Sequence, residues 1–223
     1  MKKKLLLLPL AIALLCLSLL ATGCATSVDL TDYVSEYRSR IYIGTQDETT
    51  VFADYTVREV PYLADGNVGK TGTLFEIAVT VPDNTRTYTA TYTVGGTEYR
   101  AELSFDSVRM VHTCSQSLPE PQESEIAFRI TDDEDGVWEI TAQSVAGEGM
   151  LDLPALLSAV SADQQERFAA LTDGNTFAGE IYVRLLHEDE GNYYYVGLTD
   201  RSGQTFSILA DANTGEVLAT KEP

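Results

Sequence analysis

The chain opens on Lys2, Lys3 and Lys4 and then runs apolar over residues 5–21, interrupted only by Pro9 and Ser18. Beyond residue 28 the apolar positions become periodic. Leu30, Tyr33, Val34 and Tyr37 recur at the spacing of one helical face, which predicts a short amphipathic helix over residues 29–38. From Ser39 to Val145 the period drops to two. Ile41 and Ile43 alternate with polar neighbours, as do Val51, Ala53, Tyr55 and Val57, and then Phe75, Ile77, Val79 and Val81. Tyr88, Ala90, Tyr92 and Val94 lead into Gly95-Gly96, and Tyr99, Ala101, Leu103 and Phe105 follow, a hairpin in which glycine supplies the positive φ of a tight turn. Ile126, Phe128 and Ile130 pass through Asp135-Gly136 to Trp138, Ile140 and Ala142, a second hairpin. Seven or eight such strands over about 110 residues predict an immunoglobulin-like β-sandwich, with a flattened barrel as the alternative.

The pattern changes at residues 146–150, where Gly147 and Gly149 mark a domain boundary. Leu153, Leu156, Leu157 and Val160 form an apolar stripe that Phe168 and Leu171 continue, so residues 153–171 read as helix. Ser161 followed by Gln164 has the form of a capping box, which would split that helix in two. Four short strands follow, over 177–186, 193–199, 205–210 and 216–220, joined by turns rich in Asn, Asp, Ser and Gly. The simplest arrangement is a helix packed on one face of an antiparallel meander. The expected organisation is a leader (1–23), a tether (24–28), a short helix with the β-sandwich (29–146), and a small α+β domain (150–223).

Composition narrows the class. Removing residues 1–23 takes away three lysines and no acid, so the formal charge moves from −19 to −22. Such a chain repels nucleic acid and anionic headgroups. Of three cysteines, Cys16 lies in the leader and Cys24 at its end, which leaves Cys114 without a partner for an intrachain disulfide.

The basic start, apolar run and small residues make a secretory signal. Leu20-Ala21-Thr22-Gly23-Cys24 resembles the bacterial lipobox, with Ala21 where that motif more often has Leu. The resemblance implies lipid (a palmitate-type acyl group) on Cys24, cleavage before it, and a protein held on a cell membrane facing away from the cytoplasm. Two or more acyl chains anchor stably where one does not. At the other end, Tyr193 to Leu198, then Asp200-Arg201-Ser202-Gly203-Gln204, then Leu209 to Leu218 with its Asp211…Thr214-Gly215…Val217-Leu218 segment, resemble a PepSY-type domain. That family occurs in protease propeptides and envelope proteins. The resemblance implies binding or inhibition and brings no catalytic residues.

Other chemistry is thin. Residues 64–71 fit a relaxed phosphate-loop pattern, but a strand rather than a helix follows Thr71, and the compartment holds no ATP pool. Asp132-Asp133-Glu134-Asp135-Gly136 lacks the spacing of a calcium loop and reads as a solvated hairpin tip, as does Glu188-Asp189-Glu190. His112 and His187 are the only histidines and share no metal spacing. Cys114 stands two residues from His112, yet a buried core cysteine is the simpler reading than a thiol nucleophile. Tyr193, Tyr194 and Tyr195 must place at least one ring on the outer face of their strand; cover by the N-terminal domain is the simpler reading there, and recognition of a peptide or glycan the alternative. The segment 58–66 is patterned but attaches to no known activity.

The sequence therefore predicts a non-catalytic surface lipoprotein without cofactor or metal. It would bind a protein or an envelope polymer, restraint of a protease being one form of that binding. An extracytoplasmic enzyme with a carboxylate-based site and a small-molecule-binding lipoprotein are the alternatives.

Overall fold

The computed structural model describes residues 28–147 and 149–223. Cys24, the leader and most of the tether lie outside the described residues. After a 3-10 turn, Leu30–Tyr33, come strands β1 (Val34–Gln46), β2 (Thr49–Glu59), β3 (Thr71–Thr80), β4 (Tyr88–Val94), β5 (Thr97–Asp106), β6 (Val111–Gln116), β7 (Glu125–Asp132) and β8 (Val137–Ser144). Helices α1 (Leu153–Asp163) and α2 (Gln165–Ala170) follow, then the two-residue strands β9 (Thr172–Asp173) and β10 (Thr176–Phe177). The chain ends with β11 (Gly179–Glu188), β12 (Gly191–Asp200), β13 (Thr205–Asp211) and β14 (Val217–Lys221).

The first eight strands are not a sandwich. They pair in the order β1-β2-β3-β6-β5-β4-β7-β8, and β8 returns to β1 through Tyr42↔Ser144 and Ile43↔Gln143, which closes a barrel. The alternating apolar positions point inward from every side, so Phe75, Ile77, Tyr88, Tyr92, Phe128 and Ile130 fill one interior. Burying each large ring contributes roughly 1.5–3 kcal/mol. The buried tyrosines keep their hydroxyls bonded: Tyr42 donates to the Glu123 carbonyl (2.9 Å), Tyr88 to the Asp83 carbonyl (2.7 Å) and Tyr92 to Gln116 Oε1 (2.7 Å). Closure brings backbones close at Gly44, where a Cβ would lie 2.7 Å from the Thr141 carbonyl oxygen and 2.8 Å from Ala142 Cα.

The expected helix over 29–38 is also corrected. Only Leu30–Tyr33 is helical, and Val34 begins a 13-residue strand. A bulge explains the deceptive spacing. Val34 pairs with Ile181 and Tyr37 with Val183, so residues three apart face the same side once an extra residue is inserted between Val34 and Glu36. A bulged strand has imitated a helical period.

β1 is the hinge of the architecture. Its first half runs parallel to β11 and its second half meets β8, with a further bulge between Arg38 and Arg40. Tyr42 consequently joins the barrel core while its neighbour Ile41 joins a second core. That second core lies between α1, α2 and one face of the β11-β12-β13-β14 meander. Leu156, Leu157, Val160 and Phe168 pack there on Ile181, Val183, Val196 and Ile208. Asp152 caps α1 by accepting the Ala155 N–H at 2.9 Å. The helix does break in two, at Gln164, but Ser161 lies inside α1 and donates to the Ser158 carbonyl rather than forming a capping box.

Candidate binding groove

The alternate residues of the shared sheet face the other way, onto a side where no helix lies among the described residues. Glu36 and Arg38 of β1 stand beside Tyr182 and Arg184 of β11, and opposite Arg58 and Thr56 of β2. Phe52 and Asp54 of β2, and Leu74 and Glu76 of β3, continue this face along the barrel exterior. Together with Tyr62 and Arg109 these side chains, the buried Tyr182 excepted, line an open valley of about 320 Å³. Four of the chain's ten arginines meet in it.

Two of the four are committed. Arg184 makes a two-pronged pair with Glu36, Nε to Oε1 at 2.5 Å and Nη2 to Oε2 at 3.0 Å. Its guanidinium carbon lies 6.0 Å from the Tyr182 ring centroid and 5.8 Å from that of Tyr195. Arg109 donates to Glu76 Oε1 at 2.9 Å and to Asp106 Oδ2 at 2.8 Å. Arg38 and Arg58 have no ion pair within 4 Å among the described residues, although the Arg38 charge acts on Asp54. Burial pushes the Asp54 carboxyl up, and Arg38 and a hydrogen bond from Thr56 oppose that shift.

The segment after β2 closes one end of the valley as a strap. The Val60 N–H bonds the Lys70 carbonyl (2.8 Å), and the Leu63 N–H bonds Glu59 Oε2 (3.2 Å). The strap crosses to the meander, where the Gly66 N–H donates to the fully buried Glu180 at 2.8 Å. Gly66 has φ +77°, and a Cβ there would fall 2.4 Å from the Asp200 carbonyl group, so only glycine fits. Burial first, then the Glu180 carboxylate, push the Tyr182 phenol up, although no well-aligned hydrogen bond joins the two side chains. The phosphate-loop pattern at 64–71 is therefore part of a strap from β2 to the meander, and β3 rather than a helix begins at Thr71.

The remaining candidates are scattered. Asp132 accepts the Glu134 and Gly136 N–H groups and pairs with Arg86 at 2.6 Å, which holds its carboxyl below the usual range; the acidic tip is organised by an arginine. Glu188, Asp189 and Glu190 are exposed at the β11–β12 turn. His187 bonds Asn192 at 2.7 Å in that same hairpin. His112 is buried with both ring nitrogens unpartnered, against Tyr88 (4.7 Å) and Phe105 (5.0 Å). Cys114 packs on the barrel core, and burial pushes its thiol up to about 11, so it is protonated at neutral pH and unsuited to nucleophilic attack. Among the described residues no group of three or more His, Cys, Asp or Glu side chains is placed to hold a metal ion.

The tyrosine triplet splits as alternation requires. Tyr194 turns into the second core and donates to the Leu151 carbonyl at 3.1 Å, while Tyr193 and Tyr195 stay half-buried on the open face. Tyr195 bonds Ser207 at 3.1 Å and flanks Arg184. Sequence reading did not find the four arginines. Each occupies a polar position of an alternating strand or turn, which looks like ordinary solvated surface until the strands are placed side by side.

No curated protein matches the chain closely enough to stand as a relative. Residues 162–221, from the end of α1 through β14, match the family model described as "Peptidase propeptide and YPEB domain", the PepSY family, so the C-terminal part of this chain is PepSY-like.

Proposed function

We propose that this chain is exported, cut before Cys24 and held on a membrane surface by lipid on that cysteine, and that it works outside the cytoplasm by binding a protein or envelope polymer, a protease being one such partner. The observation that carries this reading is the PepSY match over 162–221, because PepSY domains are typically regulatory or inhibitory rather than catalytic and are associated with protease propeptides. The open valley supports it by offering a solvent-facing surface with side chains suited to polar recognition. The apolar run over 5–21 and the small residues before Cys24 support the placement.

Fractionation tests the anchoring. Cys24→Ser protein is expected to leave the membrane fraction or to accumulate as unprocessed precursor. Mature Cys24→Ser protein found in the membrane fraction at the wild-type level would contradict it.

A further inference from the structure

Eight large apolar side chains stand well exposed among the described residues, and six of them, Val60, Tyr62, Leu63, Phe105, Val108 and Met110, fall in two segments. One is the strap after β2. The other is the end of β5 and its turn into β6, where Val108 is 91 % exposed. Tyr62 from the first segment and Arg109 from the second line the same valley. The valley thus has an arginine-bearing floor that each segment reaches through one residue, and the exposed apolar side chains are the near sequence neighbours of those two. Exposed apolar side chains gathered around a polar centre mark interaction surfaces, and Tyr, Met and Arg are enriched in them.

Charge decides the class of occupant. Among the described residues Arg38 and Arg58 are guanidiniums without an ion pair, in a chain whose formal charge is −19. They favour a carboxylate or phosphate. A uniform polyanion would also meet Glu36, Asp54 and Glu76 on the same floor and the acidic surface around it. An anionic bilayer meets the same repulsion. A polypeptide that places one or two carboxylates between apolar side chains satisfies both the floor and those apolar neighbours.

We infer that this valley docks a short extended segment of a partner protein, whose carboxylates pair with Arg38 and Arg58 while apolar side chains on either side pack on Val60, Tyr62 and Leu63 and on Val108 and Met110. The inference rests on the binding reading above and gives it a surface and a partner chemistry.

The probe is an end-capped, fluorescein-labelled nonapeptide with two central glutamates flanked on each side by leucines, and a twin with glutamine in place of glutamate. Each is titrated by anisotropy into the full chain purified from its native membrane in neutral phospholipid nanodiscs. The glutamate peptide is expected to bind about tenfold tighter than its twin, in keeping with a charge-assisted pair of roughly 1.4 kcal/mol. Arg38→Gln/Arg58→Gln protein should lose that tenfold while still melting cooperatively, any shift in temperature reflecting only the charge that Arg38 sets against Asp54. Val108→Ser/Met110→Ser protein should weaken both peptides. Equal affinity for the two peptides, no binding of either, or an unchanged affinity in the double-arginine variant would overturn the inference. So would tighter binding of inorganic polyphosphate or of phosphatidylglycerol vesicles, which would assign the arginines to phosphate. A partner recovered equally from native membranes by wild-type and Arg38→Gln/Arg58→Gln protein removes this surface and keeps the binding reading. Failure of wild-type protein to recover any partner removes the reading itself.

Discussion

Replacing Gly44 with valine is expected to destabilise the fold by roughly 3 kcal/mol, the upper end for an overpacked site. The barrel closes through only two residue pairs, Tyr42↔Ser144 and Ile43↔Gln143, and Gly44 comes next along β1. A Cβ there would meet the Thr141 carbonyl oxygen at 2.7 Å and Ala142 Cα and Ile140 Cγ2 at 2.8 Å. Two of these three are backbone atoms of the strand that must approach for closure, so the contact cannot be relieved by a rotamer change. Against a typical domain stability of about 5–15 kcal/mol the loss is large. Urea unfolding measures it, and Trp138, the one tryptophan and a residue of β8, reports the same event by fluorescence. Gly147, around which a Cβ would find open space, is the control, and its alanine variant should unfold within about 0.5 kcal/mol of wild type. Wild-type stability in Gly44→Val protein would mean that β1 and β8 do not close as described.

The second large effect is expected at Arg184. Its partner Glu36 has a side chain only 9 % exposed, so Arg184→Ala leaves a nearly buried carboxylate without its cation. Breaking a buried pair from one side costs about 3–5 kcal/mol; with Arg184 itself a third exposed, roughly 2–3 kcal/mol is expected. The loss also removes a side-chain link across the junction of the two cores, where the β1–β11 backbone ladder remains. Removing both charges should cost much less than removing one. A cycle of Arg184→Met, Glu36→Gln and the double variant measures this by urea unfolding. If the double variant is as unstable as the sum of the singles, the pair is not a coupled unit and the account of the junction fails.

Much of this fold is written in side-chain period, and its limits show where period is silent. The apolar stripe from Leu153 to Phe168 and the meander after it are legible because helix and strand spacing differ and Asp200 and Asp211 organise their turns through their own carboxylates. Barrel and sandwich are not separable this way, since Val51, Phe75, Tyr92 and Phe128 alternate identically in either. Only the short β1–β8 ladder distinguishes them. At residues 29–38 the period itself misleads, because the bulge beside Ser35 gives Val34 and Tyr37 a helical spacing within a strand. The valley is illegible for a related reason. Arg38, Arg58, Arg109 and Arg184 come from four separate segments and are brought together by strand order and by the strap, neither of which local pattern encodes.

The binding role is tested most directly by crosslinking the wild-type chain in its native membrane, recovering it, and comparing what accompanies it with a control in which residues 1–28 carry an unrelated domain. A specific protein or wall polymer enriched with the full chain, and absent from the control, is the predicted result. Identical recovery from the two would contradict it.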